Sequence, residues 1–145
     1  MATLTFPVSA DGLCVDVRVN FDTTTLNSLK SAGHPLPSSI PARGLIDTGS
    51  DISAAAPWIL QQLAVPVHSQ RTTHGIAGSI PVRLFNISLF ILDSHQPQMP
   101  WLVQPDLLVM ELPSTLPVDV LIGLDVLFNC SLLLDGLGRQ FTLTF

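Results

Sequence analysis

Glycine and proline divide the sequence into short apolar runs, and this division limits the possible folds more than any other feature. Nine glycines and twelve prolines are spread over the 145 residues. Between them Val, Leu, Ile, Phe and Thr alternate with polar residues, a period of two that is typical of strands. Because this length suits one compact domain, the pattern predicts a single all-β domain over residues 1–145.

The predicted strands are short, and three consecutive pairs are expected to form hairpins. The first pair turns at Asp11-Gly12, a dipeptide that favours tight turns. The fourth and fifth strands flank the glycine-bearing segment 74–78, which predicts a long hairpin with a mobile tip. The last two strands flank residues 135–138. The strands are expected at residues 3–8, 13–21, 43–47, 70–73, 79–84, 86–92, 107–112, 118–122, 131–134 and 140–145.

Helical signals are few. Residues 57–63 are the best candidate, because Pro57 fits the first helical position, where its missing N–H is not needed. A second short helix is expected over residues 124–128. Residues 22–41 show little pattern and predict an exposed loop with one helical turn near residues 26–30.

Composition excludes several classes of function. Charged residues are only 12% of the chain and hydrophobic residues 47%, which predicts a neutral or apolar surface suited to a buried partner interface. The net charge is -5 with Lys30 as the one lysine, so no nucleic-acid partner is expected. Asp119 and Asp125 interrupt the most apolar stretch, residues 118–134, so no membrane span is expected. No signal peptide is recognisable, and we expect a cytoplasmic protein.

No metal or other cofactor is expected. The histidines at positions 34, 68, 74 and 95 are far apart and lack the spacing of metal ligands. Cys14 and Cys130 form neither a disulfide framework nor a zinc motif, and two buried thiols are the simplest expectation.

Three ordered segments carry the functional signal. Residues 45–51 (Leu-Ile-Asp-Thr-Gly-Ser-Asp) take an apolar strand into a carboxylate, a hydroxyl and a glycine. Alone, this segment is also compatible with an ordinary turn, since Asp and Gly are common in turns. Residues 72–78 add the glycine-bearing hairpin, and residues 120–127 (Val-Leu-Ile-Gly-Leu-Asp-Val-Leu) add a strand, a glycine and a short helix. In order and spacing the three resemble the retroviral-type aspartic proteases, over residues 43–145.

The resemblance implies a single-lobed, retropepsin-like fold: a closed β-barrel of the acid-protease type with one or two short helices, assembled as a two-fold homodimer. It implies that Asp47, Thr48 and Gly49 form the catalytic loop, with the threonine linking the two loops across the dimer axis. It also implies that Gly49 and Asp51 hold the substrate backbone, while Ser50 occupies a position where a small residue is usual.

The glycine-bearing hairpin resembles the family's flap, which closes over the substrate and excludes water. His74 is expected either to contact substrate or to face solvent. The expected substrate-binding residues are Gly49, Ser50, Asp51, Thr73, His74, Gly75, Ile76, Ala77 and Gly78.

The chemistry explains the need for a second chain. Peptide hydrolysis without a metal or a covalent intermediate needs a base for water and an acid for the carbonyl oxygen, and two carboxylates sharing one proton provide both. The sequence has one Asp-Thr-Gly, at residues 47–49. The second aspartate is therefore expected from another copy of the chain, across a two-fold axis. The predicted function is an aspartic endopeptidase acting on polypeptides.

The sequence is also compatible with other functions. The chain could be a catalytically silent retropepsin-like domain used for dimerisation or peptide binding, or an unrelated β-barrel hydrolase with an accidental motif. The terminal strands, residues 2–6 and 141–145, could interleave between two copies or pair within one chain. Gly123 is expected to allow tight packing behind the active-site loop, and Asp125 to cap the short helix or meet an arginine such as Arg43 or Arg139.

Overall fold

The computed structural model describes residues 1–113 and 116–145. These residues form ten strands and three short helices. The strands are β1 (Thr3–Pro7), β2 (Cys14–Phe21), β3 (Ile40–Ile46), β4 (Ala54–Ala55), β5 (Ser69–Gly75), β6 (Gly78–Leu92), β7 (Leu102–Glu111), β8 (Val120–Ile122), β9 (Ser131–Asp135) and β10 (Gln140–Thr144). The helices are α1 (Thr23–Ser31), α2 (Pro57–Leu63) and α3 (Leu124–Leu127).

Six strands close into a barrel. They pair in the order β2-β3-β8-β4-β7-β6, and β6 pairs back with β2, while β5 extends the sheet from β6. Alternate residues of each strand point inward, as the period of two predicts. Val15, Val17 and Val19 of β2 are buried in this way, beside Leu89 and Ile91 of β6. The expected closed β-barrel is confirmed.

A separate three-stranded sheet, in the order β1-β10-β9, joins the two ends of the chain. Its inward face is apolar: Leu4 and Leu143 are buried, and Phe6 stacks on Phe141 with ring centroids 5.4 Å apart. The predicted hairpin of the last two strands is confirmed as β9–β10.

The predicted pairing of the first two strands is wrong. Ser9 and Gly12 do exchange backbone hydrogen bonds in a tight turn, but the strands then separate. β3 and β6 pair with β2 on its two sides, which leaves no edge for β1. β1 instead pairs with β10 from the other end of the chain.

The segment 22–41 is also more ordered than predicted. α1 replaces the single expected turn, and only residues 32–39 remain as a loop. Asp22 caps the helix, since its carboxylate accepts hydrogen bonds from the Thr25 backbone N–H at 3.0 Å and hydroxyl at 2.7 Å. The sequence contains this capping signal, but α1 buries no residue, so there is no apolar stripe to reveal the helix.

Pro105 lies inside a strand, contrary to expectation. β7 begins at Leu102 and runs through Pro105, which was predicted to lie in a crossing loop. The register explains this, because Ile87 pairs with Leu107 and Leu89 pairs with Gln104. The extra residue on β7 makes a bulge at Pro105, where the missing N–H costs no ladder hydrogen bond.

The helix predicted at residues 57–63 is confirmed as α2, and the one expected at 124–128 appears as α3. The two strands predicted at 79–84 and 86–92 are one continuous strand, β6. β4 has only two residues and was not predicted. Within the described residues, no helix is long and apolar enough to cross a membrane.

Candidate active site

Asp47 lies where β3 leaves the barrel. Strands β3 and β8 are parallel, and Ile46 pairs with Ile122 at their ends. One residue further on, the Asp47 backbone N–H donates a hydrogen bond to the Ile122 carbonyl at 2.9 Å. The side chain is half-buried, and its Oδ1 accepts a hydrogen bond from the Gly49 backbone N–H at 3.0 Å. The carboxylate is therefore oriented by its own turn while remaining accessible.

The loop after Asp47 is fixed from behind by the turn before α3. The Leu124 backbone N–H donates to the Ser50 carbonyl at 2.8 Å. A Cβ on Gly123 would lie 2.7 Å from the Ser50 carbonyl oxygen and 2.9 Å from the carbonyl carbon of Ile52. Only glycine fits there without a backbone shift, which confirms the expected close packing behind the loop.

A buried serine completes this attachment. The Ser53 hydroxyl donates to Asp125 Oδ1 at 2.6 Å and accepts from the Gly123 backbone N–H at 2.9 Å. The Ser53 backbone N–H donates to Asp125 Oδ2 at 2.9 Å. Ser53 is fully buried and Asp125 is half-buried, so the serine side of this network is shielded from competing water. Sequence analysis missed Ser53, because nothing local distinguishes it from the other serines.

Asp125 therefore acts as a structural acceptor. Its Oδ1 also accepts from the Val126 backbone N–H at 2.9 Å, within the first turn of α3. Neither of its two expected roles is seen among the described residues. Gly123 holds the N-cap position of α3 without a side-chain cap. Asp125 bonds to Ser53 and Val126 rather than to an arginine. Arg43 pairs instead with Asp11, at 3.4 Å.

Two grooves lie beside this loop. The hairpin groove, about 580 Å³ in volume, runs between the loop and the β5–β6 hairpin. It is lined by Gly49, Ser50, Asp51, Ile52, Arg71, Thr72, Thr73, His74, Val82, Leu107, Leu108, Met110 and Asp125. The Asp47 groove, about 660 Å³, is lined by Asp11, Cys14, Arg43, Gly44, Leu45, Asp47, Leu116, Pro117, Val118, Asp119 and Leu121.

The predicted glycine-bearing hairpin is confirmed as β5–β6. Its register runs to Gly75 opposite Gly78, which leaves Ile76 and Ala77 as the exposed tip. Gly78 has a φ of +110°, a conformation that glycine adopts at little cost. Next to the tip, His74 Nδ1 lies 2.6 Å from Ser79 Oγ.

The structure brings some of the predicted site residues together and leaves others apart. Residues 49–51 face Thr73 and His74 across the hairpin groove. Asp47 lines the other groove, Thr48 is exposed, and residues 75–78 lie at the hairpin tip outside both linings. Sequence analysis missed eight residues that line the hairpin groove. Two are Ile52 and Asp125, and the other six belong to the hairpin or to β7: Arg71, Thr72, Val82, Leu107, Leu108 and Met110.

The cysteines lie half-buried as free thiols, so the expectation of two buried thiols is only partly met. Burial raises the pKa of the Cys130 thiol above its ordinary value, which keeps it protonated and weakly reactive near neutral pH. In residues 1–113 and 116–145, no three His, Cys, Asp or Glu side chains are grouped to hold a metal ion.

Comparisons with known proteins find similar solved structures but no matching family model or curated sequence. Among solved structures, the crystal structure of a retropepsin-like aspartic protease from Rickettsia conorii superposes with a TM-score of 0.60. The match covers 99% of this chain and 90% of that one, at 11% sequence identity. The chain has the retropepsin-like fold.

The barrel places the three segments that carry the sequence resemblance near one another. Asp47 comes at the end of a barrel strand, the Gly123 turn lies behind it, and the β5–β6 hairpin projects from the barrel beside it. The resemblance of the three sequence segments is thus matched by the fold. At 11% identity the similarity concerns the fold alone, and the chemistry depends on the residues of the site.

Proposed function

We propose that this chain is an aspartic endopeptidase that hydrolyses peptide bonds through a water activated by Asp47 and the Asp47 of a second copy. The observation that carries the proposal is the placement of Asp47. In a retropepsin-like barrel, Asp47 lies half-exposed in an Asp-Thr-Gly turn. It lines one groove, while residues 49–51 of the same loop line the hairpin groove. The segment after the turn is held by hydrogen bonds of the buried Ser53 to Asp125 and to the Gly123 N–H.

The local geometry suits a carboxylate dyad. The Gly49 N–H holds Oδ1 of Asp47, and no other hydrogen bond occupies the side chain within the described residues. A second carboxylate placed beside it would share a proton, because two like charges in contact cannot both ionise cheaply. The ionised member then takes a proton from water, and the protonated member donates to the carbonyl oxygen.

One chain supplies one such turn. Asp11-Gly12 lies in the turn after β1, and Asp135 accepts a hydrogen bond from Gly138 in the β9–β10 turn. Neither repeats the Asp-Thr-Gly arrangement. We therefore propose a homodimer whose two-fold axis passes between the two Asp47 turns, where the exposed Thr48 hydroxyl can bond to the partner's loop.

The apolar surface supports association of two copies. Large apolar side chains are exposed after α3 and along the β9–β10 hairpin, where Phe128 is 81% and Leu137 101% exposed, with Leu133 and Leu134 between them. β9 forms an edge of the terminal sheet, and an open strand edge can pair with another chain. The terminal strands pair within one chain, so interleaving between copies is not needed to form this sheet.

The grooves suit an extended polypeptide. A peptide in strand conformation points alternate side chains in opposite directions, and the two grooves beside the Asp47 turn can receive alternate side chains. Residues 49–51 would contact the peptide backbone from below. The β5–β6 hairpin would act as the flap, with residues 73–78 closing over the substrate and excluding water.

The first test compares the wild-type protein with Asp47→Asn on a peptide library at about pH 4 to 7, where carboxylate dyads titrate. Asp106→Asn, the same change at an exposed position of β7, is the matched control. We expect cleavage by the wild type and the control, and loss of at least about a thousandfold in kcat/KM for Asp47→Asn, as for other residues of a catalytic unit. Undiminished cleavage by Asp47→Asn would refute the mechanism.

The second test addresses the shared dyad. Activity should follow the dimer fraction measured by analytical ultracentrifugation, and an excess of Asp47→Asn chains should inhibit the wild type by forming mixed dimers. Cleavage by a protein that stays monomeric would exclude a shared dyad. A dimer that binds peptides but cleaves none of them would instead support a silent peptide-binding domain.

A further inference from the structure

Arg71 brings a positive charge to the hairpin groove. It lies on β5 opposite Val82 of β6, and both residues line the groove. Cross-strand partners lie on the same face of a hairpin. On this face, the next pair toward the barrel is Ser69 and Leu84, and Leu84 is buried. Arg71 and Val82 therefore reach the groove from one face of the hairpin. Gln70 points to the alternate face and does not line the groove, although Thr72 and His74 of that face reach it nearer the tip.

The charge on Arg71 is not used within the chain. Among the described residues, its guanidinium has no carboxylate within 4.0 Å and makes no side-chain hydrogen bond. The neighbouring Arg83 differs, since it forms a bidentate pair with Glu111, with N–O distances of 3.0 and 2.6 Å. Arg83 thus supports the hairpin through its pair with Glu111, and Arg71 remains available to bind a ligand.

The surroundings of Arg71 favour a particular kind of ligand. Four apolar side chains make up part of the groove wall: Val82, Leu107, Leu108 and Met110. The other titratable groups lining the groove are Asp51, His74 and Asp125, and Asp125 is already bonded to Ser53. A guanidinium beside an apolar wall binds a carboxylate in a planar, bidentate geometry that an amide cannot match.

We propose that Arg71 is a specificity-determining residue, which selects peptides with an Asp or Glu side chain at the position under the β5–β6 hairpin. This inference rests on the proposed function, because it takes the hairpin groove as the site of the peptide. The net charge of -5 opposes acidic peptides at long range, so the preference must arise locally and at one peptide position.

A peptide series tests the selection. The peptides share one cleaved apolar core and carry Glu, Gln or Lys at successive flanking positions. For the wild type we expect one position where Glu exceeds Gln by about tenfold in kcat/KM, the effect of one charge-assisted bidentate pair. Arg71→Lys should keep a weaker preference for Glu. Arg71→Glu should reverse the order, so that Lys becomes the best side chain at the same position.

Gln70→Glu is the matched control, because it adds a negative charge one residue away on the opposite face of the hairpin. It should leave the preference for Glu intact. A reversal by Gln70→Glu equal to that by Arg71→Glu would show a general field effect and overturn the proposal. Equal rates for Glu, Gln and Lys peptides at every position would also overturn the proposal. That result would arise if Arg71 paired with Asp51 when the hairpin closes.

A binding measurement separates this inference from the proposed function. The same fluorescent peptides are titrated into Asp47→Asn and into the double variant Asp47→Asn with Arg71→Glu, and dissociation constants are read by anisotropy. If the wild type cleaves no peptide, the proposed endopeptidase function is refuted. The proposed selection of acidic peptides would still be supported if Glu peptides bind more tightly than the others and Arg71→Glu abolishes that difference. Binding with no dependence on peptide charge would refute the selection even in an active enzyme.

Discussion

The two walls of the hairpin groove are built in opposite ways. The lower wall, the loop after Asp47, is attached to the Gly123 turn by hydrogen bonds of the buried Ser53 to Asp125 and to the Gly123 N–H. The upper wall, the β5–β6 hairpin, is exposed at every residue from 70 to 81 except Thr73. Apart from strand pairing, a contact between the exposed His74 and Ser79 side chains supports its tip.

Because of this difference, the lower wall is expected to be rigid and the upper wall to be mobile. Buried, fully paired polar groups are costly to disturb, so the lower wall keeps the Asp47 turn in one geometry. An exposed hairpin with few packed side chains opens at low free-energy cost, so the upper wall can admit a peptide and close on it. Four predictions test this contrast, in order of decreasing effect.

Replacing Gly123 with alanine should have the largest effect. The new Cβ would lie 2.7 Å from the Ser50 carbonyl oxygen, so the loop or the turn must move. We expect a loss of about 3 kcal/mol in the free energy of unfolding, at the upper end of the typical range for overpacked sites. Urea denaturation measures it. Gly136→Ala, at a position with open space around it, is the control, and equal stability of the two variants would contradict the close packing.

Removing the Ser53 hydroxyl should have the next largest effect. Ser53→Ala leaves the buried Gly123 N–H without its acceptor and Asp125 Oδ1 without its closest donor. The expected cost is about 2 kcal/mol in the free energy of unfolding, typical of an unsatisfied buried polar group. Ser131→Ala, an exposed serine on β9, should change it by less than about 0.5 kcal/mol. Similar values for the two serines would mean that the network does not hold the lower wall.

The two hairpin glycines offer a matched pair. Gly78 has a φ of +110°, whereas Gly75 does not have a positive φ, and neither would meet another atom as alanine. Gly78→Ala should therefore cost about 1 kcal/mol of backbone strain, and Gly75→Ala little. Amide hydrogen exchange in residues 69–84 should rise for Gly78→Ala alone, and urea denaturation should show a loss of no more than about 1 kcal/mol. Equal exchange in the two variants would remove the strain argument.

The smallest effect is expected for His74→Ala. Its contact with Ser79 is fully exposed, and such a bond competes with water at nearly equal free energy. The free energy of unfolding should change by less than about 0.5 kcal/mol, and exchange should rise only near the tip. A larger loss of stability would show that the upper wall is fixed as firmly as the lower one.

Predictions from sequence succeeded where the determining contacts are local. Pro57 fixes the start of α2, and the bounds 57–63 agree with the structure. The glycine-bearing segment turns between Gly75 and Gly78 as expected. α1 is an intermediate case: its Asp22 cap is visible in the sequence, but without a buried face the helix has no periodic apolar pattern.

The site was predictable in part for the same reason. The Asp47 turn closes on itself through Gly49, so its local sequence describes it. Ser53 and Arg71 were missed because their roles depend on partners distant in the chain: Asp125 for the serine, and the β7 side chains across the groove for the arginine.

By itself, then, the sequence determined the all-β class, the Asp-Thr-Gly turn, the central hairpin and the strand, glycine and helix near residue 123. Only the tertiary structure decided which strands pair. β1 leaves its neighbour β2 for β10, because β3 and β6 already satisfy both edges of β2 and close the barrel. Turn geometry is a property of a few adjacent residues, whereas the choice of a strand partner depends on which pairing leaves the fewest open edges and exposed apolar side chains in the whole molecule.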